Sequence, residues 1–329
     1  MQGVDEPVRW GILGTAGIAQ GAFLPAAREA GGGAAIAVAG RNPDRTKAWA
    51  AEQGIERTVD GYESLVDDSE VEAIYIPLPN GLHAEWTIAA LESGKSVLCE
   101  KPMCGTPEET ERVLAVARAN PGMLWEAFVF PFHPQIDRVR ELIADGAVGQ
   151  IREIDSSFHF ALDDPGNIRL SAELAGGSVQ DVGCYPVRLA RLLFDDEPEF
   201  EHAIAGAVWS ESGVDEELWG SLRFPRDRRL VFSGGFRLAY DTFTRVLGTE
   251  GEIRITNPFH PVPGDELIVV RDEEIANEPA PGASERSFTA AIRHMHRALR
   301  GLEDPLHLAI DEAMGNATAI AALLSAARS

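Results

Sequence analysis

The sequence predicts an α/β protein with two domains, one built on a parallel sheet and one on a large, open, mainly antiparallel sheet. Up to residue 128, short continuous apolar segments alternate with longer helical patterns, which is typical of parallel strands covered by helices on both faces. Beyond it, strand-like segments follow one another across turn signals such as Pro225-Arg226-Asp227, which indicates antiparallel strands. We therefore expect domains at residues 1–128 and 129–329.

Capping residues and prolines place the helices of the first domain. Asn42 is a suitable N-cap with Pro43 at the favoured first helical position, and Thr106 precedes Pro107 in the same way. Pro25 must lie near the first turn of its helix or kink it. The predicted strands are Val8–Leu13, Ala34–Gly40, Ala73–Ile76, Ser96–Cys99 and Met123–Ala127, and the predicted helices are Ile18–Glu29, Pro43–Gln53, His83–Ser93 and Pro107–Ala119.

The second domain is predicted to contain mostly strands. Its apolar strand residues Val231, Phe232, Phe236 and Leu238 belong to the core by default, but large sheet faces commonly form contacts between copies of a chain, so we expect a homodimer or homotetramer. The predicted strands are Ile151–Phe160, Phe200–Trp209, Leu218–Phe224, Leu230–Phe236, Thr242–Gly248, Glu252–Ile255 and Leu267–Val270, and the predicted helices are Pro134–Asp145, Phe288–Arg300 and Ala309–Ala327.

Charge and cysteine content narrow the classes of function. With 29 Lys+Arg against 52 Asp+Glu the formal net charge is −23, which argues against nucleic acid or an anionic membrane as the main partner. The three cysteines form no disulfide framework, no apolar run has membrane-spanning length, and the acidic segment Met1–Pro7 lacks the features of a secretory signal. We therefore expect a cytoplasmic protein. His294 and His296 point to different faces of a predicted helix, and we expect no metal site.

A glycine-containing turn follows the first predicted strand. Gly14, Ala16 and Ala19 hold the three small positions of a G-x-G-x-x-G/A pattern. Small residues there permit a tight turn, let backbone N–H groups approach a pyrophosphate, and let the helix pack on the strand. Because Ala16 replaces the usual second glycine, an ordinary strand-to-helix turn remains the alternative. The candidate cofactor-binding residues of this turn are Gly14, Thr15, Ala16, Gly17 and Ile18.

The end of the second predicted strand bears on the choice of dinucleotide. An NAD-specific site places Asp or Glu there to bind the ribose 2′-hydroxyl, whereas this sequence has Ala39-Gly40 followed by Arg41. A carboxylate would repel a 2′-phosphate, and Arg offers it a forked donor, to which Arg45 can add a second contact. We therefore expect NADP rather than NAD, with an ordinary exposed Arg near a helix start as the alternative.

The segment Leu98-Cys99-Glu100-Lys101-Pro102 ends an apolar strand with a carboxylate and an amine. Ligands of parallel sheets lie at the carboxyl ends of the strands, and Pro102 restricts the backbone that carries the Lys101 amine. Lys101 is therefore a candidate general acid or base. A surface Glu–Lys pair is the alternative, which is weakened because the chain contains only three lysines.

Four motifs occur in order: W-G-I-L-G-T-A-G-I-A at residues 10–19, P-L-P-N-G-L-H-A-E-W at 77–86, G-K-S-V-L-C-E-K-P at 94–102 and G-G-S-V-Q-D-V-G-C-Y-P at 176–186. Together they resemble the glucose–fructose oxidoreductase / inositol dehydrogenase / MocA (Gfo/Idh/MocA) family. The resemblance implies an N-terminal Rossmann domain and a C-terminal α/β domain on an open antiparallel sheet. It also implies NAD(P)-dependent chemistry on sugars, polyols and related cyclic compounds.

The same resemblance implies roles for residues of the first domain. Lys101 corresponds to the lysine near the nicotinamide and the reacting hydroxyl or carbonyl group. Glu100 corresponds to the acid close to the nicotinamide ribose. The loop that passes beside the cofactor corresponds to Pro79, Asn80 and His83.

In the second domain, Asp181 and Tyr185 correspond to a second catalytic motif in which many members have His at the Tyr position. A Tyr at this position is similar to the motif of the dihydrodiol/xylose dehydrogenase and NDP-sugar 3-ketoreductase branches. Its hydroxyl can relay a proton to a sugar oxygen while Lys101 stabilises the oxyanion. Asp181 would orient a substrate hydroxyl or tune the pair formed by Tyr185 and Lys101. Arg169 is a candidate for substrate binding, with a surface Arg as an equal alternative.

One departure keeps the substrate class open. Dehydrogenase relatives often carry Arg in the segment matching residues 126–134, where this chain has Pro131 and Phe132. We expect an NADP-preferring oxidoreductase of a sugar-like or cyclic alcohol or ketone, with an NDP-sugar 3-ketoreductase as the alternative. An NAD-dependent glycoside hydrolase with no net redox and a non-catalytic cofactor-binding regulator also stay open.

Overall fold

The computed structural model describes residues 6–329 and contains a six-stranded and an eight-stranded sheet. The first sheet consists of β1 (Val8–Leu13), β2 (Gly33–Gly40), β3 (Arg57–Asp60), β4 (Ala73–Ile76), β5 (Ser96–Cys99) and β6 (Leu124–Glu126). The second consists of β7 (Ile151–His159), β8 (Ile204–Trp209), β9 (Asp215–Phe224), β10 (Arg228–Gly235), β11 (Asp241–Gly248), β12 (Gly251–Ile255), β13 (Glu266–Arg271) and β14 (Glu274–Pro279). The α-helices are α1 (Leu24–Ala30), α2 (Pro43–Gln53), α3 (Tyr62–Val66), α4 (His83–Glu92), α5 (Pro107–Ala119), α6 (Pro134–Ala144), α7 (Cys184–Phe194), α8 (Ser287–Leu299) and α9 (Ala309–Arg328). The expectation about a secretory signal falls largely on residues 1–5, which lie outside the described range.

All strands of the first sheet are parallel, in the order β3-β2-β1-β4-β5-β6. The order reverses between β1 and β4, so the carboxyl ends of these two strands border the crevice in which such sheets bind ligands. Strands β4 and β5 are buried along their whole length, as expected for strands covered on both faces. The predicted parallel Rossmann sheet is confirmed.

The second sheet has the order β14-β13-β12-β11-β7-β10-β9-β8 and is antiparallel except where β7 pairs with β10. Leu218, Leu222 and Leu230 are fully buried on one face, whereas Trp219 and Val231 are exposed on the other. This alternation along β9 and β10 is typical of a sheet that packs on a core with one face only. The predicted open, mainly antiparallel sheet is confirmed.

The helix after β1 is not the single element expected over Ile18–Glu29. A π-helical turn at Ala19–Phe23 leads into α1, with Pro25 in its first turn. Proline has no N–H to donate to the preceding turn, so the wider turn ends where the proline begins a new helix. The turn directs Phe23 into the core, where its ring stacks on Tyr75 at 4.1 Å between centroids.

Residue contacts divide the chain into two compact units. The first contains residues 6–129 together with Phe288–Met314, and the second contains Phe130–Ser287 together with Gly315–Ser329. The segment Phe288–Met314, which the sequence analysis places in the second domain, therefore groups with the Rossmann unit.

Buried polar contacts attach this returning segment to the first sheet. The indole N–H of Trp10 donates to Nε2 of His296 at 2.8 Å. Nδ1 of His296 lies 2.5 Å from the Gly31 carbonyl oxygen, so the proton of the neutral ring is on Nδ1. Arg300 donates to the Glu72 carboxylate at 3.0 Å. The segment thus contributes to the core of the Rossmann unit.

Candidate active site

The turn after β1 requires a glycine at its first position. Gly14 has a φ of +96°, and its N–H donates to the Ala39 carbonyl at 2.7 Å. A Cβ at this position would lie 3.0 Å from Cδ2 of Leu78. Residues 15–18, next along the chain, are partly or fully exposed at the crevice end of the sheet. A glycine in a conformation that other residues rarely adopt, followed by accessible residues, fits a turn that a pyrophosphate can approach.

The end of β2 has no space for an acidic side chain. A Cβ on Gly40 would overlap Oγ1 of Thr46, which donates to the Asn42 carbonyl at 2.8 Å. Arg41 and Arg45 are both exposed, and Asn42 caps α2 by accepting the Arg45 N–H at 3.0 Å. The strand end therefore presents cations and excludes the carboxylate that an NAD-specific site uses.

Tyr62, which sequence reasoning missed, lies beside the same turn. Its hydroxyl is 3.8 Å from the position that a Cβ of Gly14 would occupy, and its ring packs edge-on against Trp86 at 5.0 Å. Burial raises the pKa of Tyr62, and the charge of Arg41 opposes that rise. The positive charge of Arg41 therefore acts on the Tyr62 phenol beside this turn.

Glu100 and Lys101 come directly after β5. Glu100 is buried, and its Oε1 accepts the hydroxyl proton of Tyr75 at 2.7 Å, while its Oε2 accepts the N–H of Lys101 at 3.3 Å. Tyr75 is itself fully buried and stacked on Phe23. Lys101 is partly exposed, and its peptide bond to Pro102 is cis. The carboxylate is thus rigidly held, with an accessible lysine next to it.

His83 is placed differently from a residue that contacts a cofactor. Its ring is fully buried, and Nδ1 and Nε2 each lie 2.8 Å from a backbone carbonyl, of Pro102 and Leu78 respectively. Burial lowers the pKa of His83, and the two carbonyls oppose this effect. The neutral ring has one N–H and donates it to one of these carbonyls, and its burial packs the loop after β4 against the loop after β5. Pro79 and Asn80 of the same motif remain partly exposed.

In the second unit, a π-helical turn at Val179–Gly183 and the start of α7 carry Asp181 and Tyr185. Oδ2 of Asp181 accepts from Nε of Arg169 at 2.6 Å. The Arg169 guanidinium also lies over the Phe160 ring, 5.6 Å from its centroid. The sequence-predicted Arg169 and Asp181 are thus brought together as an ion pair, and Tyr185 follows Asp181 at the start of α7.

Asp215 anchors this segment and was not singled out by the sequence. Its buried Oδ2 accepts from Oγ of Ser178 and from the Val179 N–H, each at 2.7 Å. Gly177 has a φ of +119°, and a Cβ there would overlap Oδ1 of Asp215. Burial raises the pKa of Asp215, and the hydrogen bonds that it accepts oppose this rise. The two-glycine turn therefore lets the buried carboxylate hold the start of the π-helical turn.

Other candidate chemistries find little support in the part of the chain that the structure describes. Within residues 6–329, no group of three or more His, Cys, Asp or Glu side chains could hold a metal ion. No helix of those residues is long and apolar enough to span a membrane. Burial raises the pKa of Cys104 to about 12 and that of Cys99 well above its usual value, so both are poor nucleophiles.

A Rossmann unit with a fixed carboxylate and a lysine at one strand end is the arrangement of a nicotinamide-dependent oxidoreductase. Residues 8–128 match the family model described as an oxidoreductase family with an NAD-binding Rossmann fold, and residues 136–254 match the GFO/IDH/MocA C-terminal domain. The chain belongs to this family, which confirms the resemblance found in the sequence.

Relatives of known activity cover most of the chain. It is 38% identical to D-xylose 1-dehydrogenase (NADP(+)) 2 of Haloferax volcanii, over 82% of each chain. It is 34% identical to dTDP-3,4-didehydro-2,6-dideoxy-alpha-D-glucose 3-reductase of Saccharopolyspora spinosa, over 91% of each chain. It also resembles the crystal structure of KijD10, a 3-ketoreductase from Actinomadura kijaniata in complex with NADP and TDP-benzene, with a TM-score of 0.88, 29% identity and 98% of both chains covered. The protein is accordingly an NAD(P)-dependent oxidoreductase.

Proposed function

We propose that the protein is an NADP-preferring oxidoreductase that interconverts a carbinol and a carbonyl group of a sugar-like or cyclic substrate, as an aldose or dihydrodiol dehydrogenase does. The observation that carries this proposal is the placement of Glu100 and Lys101 at the carboxyl end of β5, with Glu100 fixed by Tyr75. When bound, the nicotinamide cofactor supplies or accepts the hydride. The chain itself positions the reactants and handles the proton.

Lys101 and Tyr185 do the proton chemistry in this proposal. Tyr185 relays a proton to or from the substrate oxygen, and the Lys101 ammonium stabilises that oxygen while it carries negative charge. Asp181 orients the Arg169 guanidinium through their 2.6 Å ion pair, and this pair helps to position a substrate hydroxyl. His83 acts indirectly, because its buried ring packs between the backbone carbonyls of Leu78 and Pro102.

Initial rates with aldoses, polyols, diols and NDP-ketosugars test this function, with both NADP(H) and NAD(H), followed by the absorbance of the reduced nicotinamide. We expect Lys101→Met and Tyr185→Phe to lower kcat at least a hundredfold while the Kd of NADPH changes less than threefold. Full activity of both variants would remove the assigned roles. Turnover of NDP-ketosugars alone would favour the 3-ketoreductase alternative, which the Saccharopolyspora spinosa relative supports. Release of an aglycone without net redox would favour the hydrolase.

The preference for NADP is proposed from the end of β2, where Gly40 leaves no room for a carboxylate and Arg41 and Arg45 are exposed. Arg41→Ala should raise the Kd of NADPH at least tenfold and change that of NADH less than twofold, because only NADPH carries a 2′-phosphate. Arg118→Ala, which removes an exposed cation on α5, is the matched control. An unchanged ratio of the two dissociation constants in Arg41→Ala would exclude Arg41 from cofactor selection.

We also propose that the open face of the eight-stranded sheet joins copies of the chain into a homodimer, the smaller of the two assemblies expected. Trp219 and Val231 are 47% and 37% exposed on this face, next to the exposed Ile204, whereas Phe232 is buried on the opposite face. Val231→Glu should shift the mass measured by light scattering to that of a monomer, with Leu306→Glu as an exposed apolar control. A dimeric Val231→Glu variant would place the contact elsewhere.

We also propose that the protein is located in the cytoplasm, which cell fractionation tests.

A further inference from the structure

Tyr240 is an exposed aromatic residue that the structure holds in a fixed position. It lies between β10 and β11 and is 59% exposed. Its ring stands edge-on to Phe158 at 6.2 Å and 81°. Burial and the charge of Asp265 raise the pKa of Tyr240, and the Asn257 side chain opposes that rise. An exposed Tyr whose ring already packs on another aromatic ring loses little freedom when a ligand packs against it.

Asn257 also fixes the neighbouring His260. Nδ2 of Asn257 donates to the His260 carbonyl at 2.7 Å, and Oδ1 of Asn257 accepts the His260 N–H at 3.1 Å. The Asn257 backbone is held in turn, because its carbonyl accepts from Nε2 of the buried Gln135 at 2.9 Å. The buried Asn257 amide therefore sets the position of His260.

Aromatic contacts connect His260 and Tyr240 to the proposed catalytic residue Tyr185. The His260 ring lies 5.7 Å from that of Tyr185 and 6.0 Å from that of Phe158, edge-on in both cases. The buried Phe158 and Phe259 stack at 5.6 Å and both contact Tyr185. Phe158 and Phe259 are thus the buried rings of this aromatic cluster, while His260 is partly exposed and Tyr240 is exposed.

We propose that Tyr240 and His260 form a substrate subsite that binds the C–H face of an uncharged sugar ring whose reacting carbon lies at Tyr185. This inference rests on the proposed function and adds residues that set its specificity. Sugar rings present apolar C–H faces that pack on aromatic rings, and fixed Tyr and His rings offer such a surface at small entropic cost. Asp265 lies close enough to affect the pKa of Tyr240, and its charge disfavours a phosphate group at this position.

Two measurements separate this subsite from the proposed function. Turnover by the wild-type enzyme tests the function, and saturation-transfer NMR of neutral aldoses with the NADP-loaded enzyme tests the subsite without any reaction. We expect Tyr240→Ala to abolish the transfer signal or raise the sugar KM at least tenfold, with the Kd of NADPH changed less than twofold. Tyr240→Phe, which keeps the ring, should stay within threefold of wild type. Leu238→Ala, which truncates another exposed side chain of the same loop, is the control.

The outcomes are distinct. If wild type turns sugars over and Tyr240→Ala retains the wild-type KM and transfer signal, the subsite is overturned while the function stands. Absence of aldose binding to wild type also overturns the subsite. If wild type binds aldoses through Tyr240 but turns over none of the substrates, the function fails and the subsite stands. A loss of the same size in Leu238→Ala would point to the loop as a whole and overturn the assignment to Tyr240.

Discussion

Replacement of Asp215 by Ala should weaken both the stability of the second unit and catalysis. It removes the acceptor of two buried donors, Ser178 Oγ and the Val179 N–H. Each unpartnered buried donor costs about 1–3 kcal/mol. Ser178 retains the Gly234 carbonyl at 3.3 Å as a weak alternative, and the buried carboxylate no longer has to be desolvated. We therefore expect the low end of the sum, a loss of about 2 kcal/mol in the free energy of unfolding.

Urea denaturation followed by circular dichroism measures this loss, and initial rates at saturating substrate measure the effect on catalysis. Because the π-helical turn carries Asp181, we expect kcat to fall at least tenfold while the Kd of NADPH is unchanged. Asp215→Asn keeps an acceptor oxygen and should recover most of both quantities. Ser178→Ala removes one donor instead of the shared acceptor and should cost less than about 1 kcal/mol. An unfolding free energy within about 0.5 kcal/mol of wild type, or a wild-type kcat in a destabilised Asp215→Ala protein, would refute the positioning role.

Two further changes test the Rossmann unit. Gly14→Ala should lower the free energy of unfolding by about 1–2 kcal/mol and weaken NADPH binding, because alanine at a φ of +96° is strained and its Cβ meets Leu78. Gly21→Ala is the control, since a Cβ there has open space around it. Equal effects of the two changes would contradict this reasoning. Burial lowers the pKa of His296 below its usual value of about 6.5. The neutral ring that accepts from Trp10 therefore stabilises the fold fully above about pH 6.5, and this contribution is lost as the pH falls through the lowered pKa. His296→Gln should flatten the decrease in unfolding free energy between pH 8 and pH 5, and an unchanged slope would exclude His296 as its source.

The buried strands were predictable because their sequences are continuous apolar runs, and β1, β4 and β5 have the predicted bounds. The sequence does not predict β3 or β14, whose segments Arg57–Asp60 and Glu274–Pro279 contain no continuous apolar run. Both are edge strands, with only one neighbour, so their pairing depends on the adjacent strand rather than on a hydrophobic pattern of their own. No helix is predicted at Cys184–Phe194, where α7 follows the π-helical turn Val179–Gly183.

Some residues of the candidate site were predictable from the local sequence and others were not. Lys101 stands in a contiguous motif next to Pro102, so local chemistry was enough to single it out. Asp215 could not be found like this, because its partner Val179 lies 36 residues away and meets it only once β9 has taken its place in the sheet. The burial of His83 also depends on residues distant in the sequence. Nothing in the sequence around His83 indicates that both its ring nitrogens face backbone carbonyls.

The return of Phe288–Met314 to the Rossmann unit has a consequence for synthesis of the chain. An N-terminal domain ordinarily folds while the ribosome is still translating the later domains. Here the indole of Trp10 has to wait for His296, 286 residues further along the chain, and the Glu72 carboxylate for Arg300, 228 residues further along. The nascent nucleotide-binding unit therefore remains incomplete until residues 130–287 of the second unit have been translated. Cofactor that binds only the finished unit would then stabilise chains that extend past Arg300 and leave shorter ones to the cell's proteases.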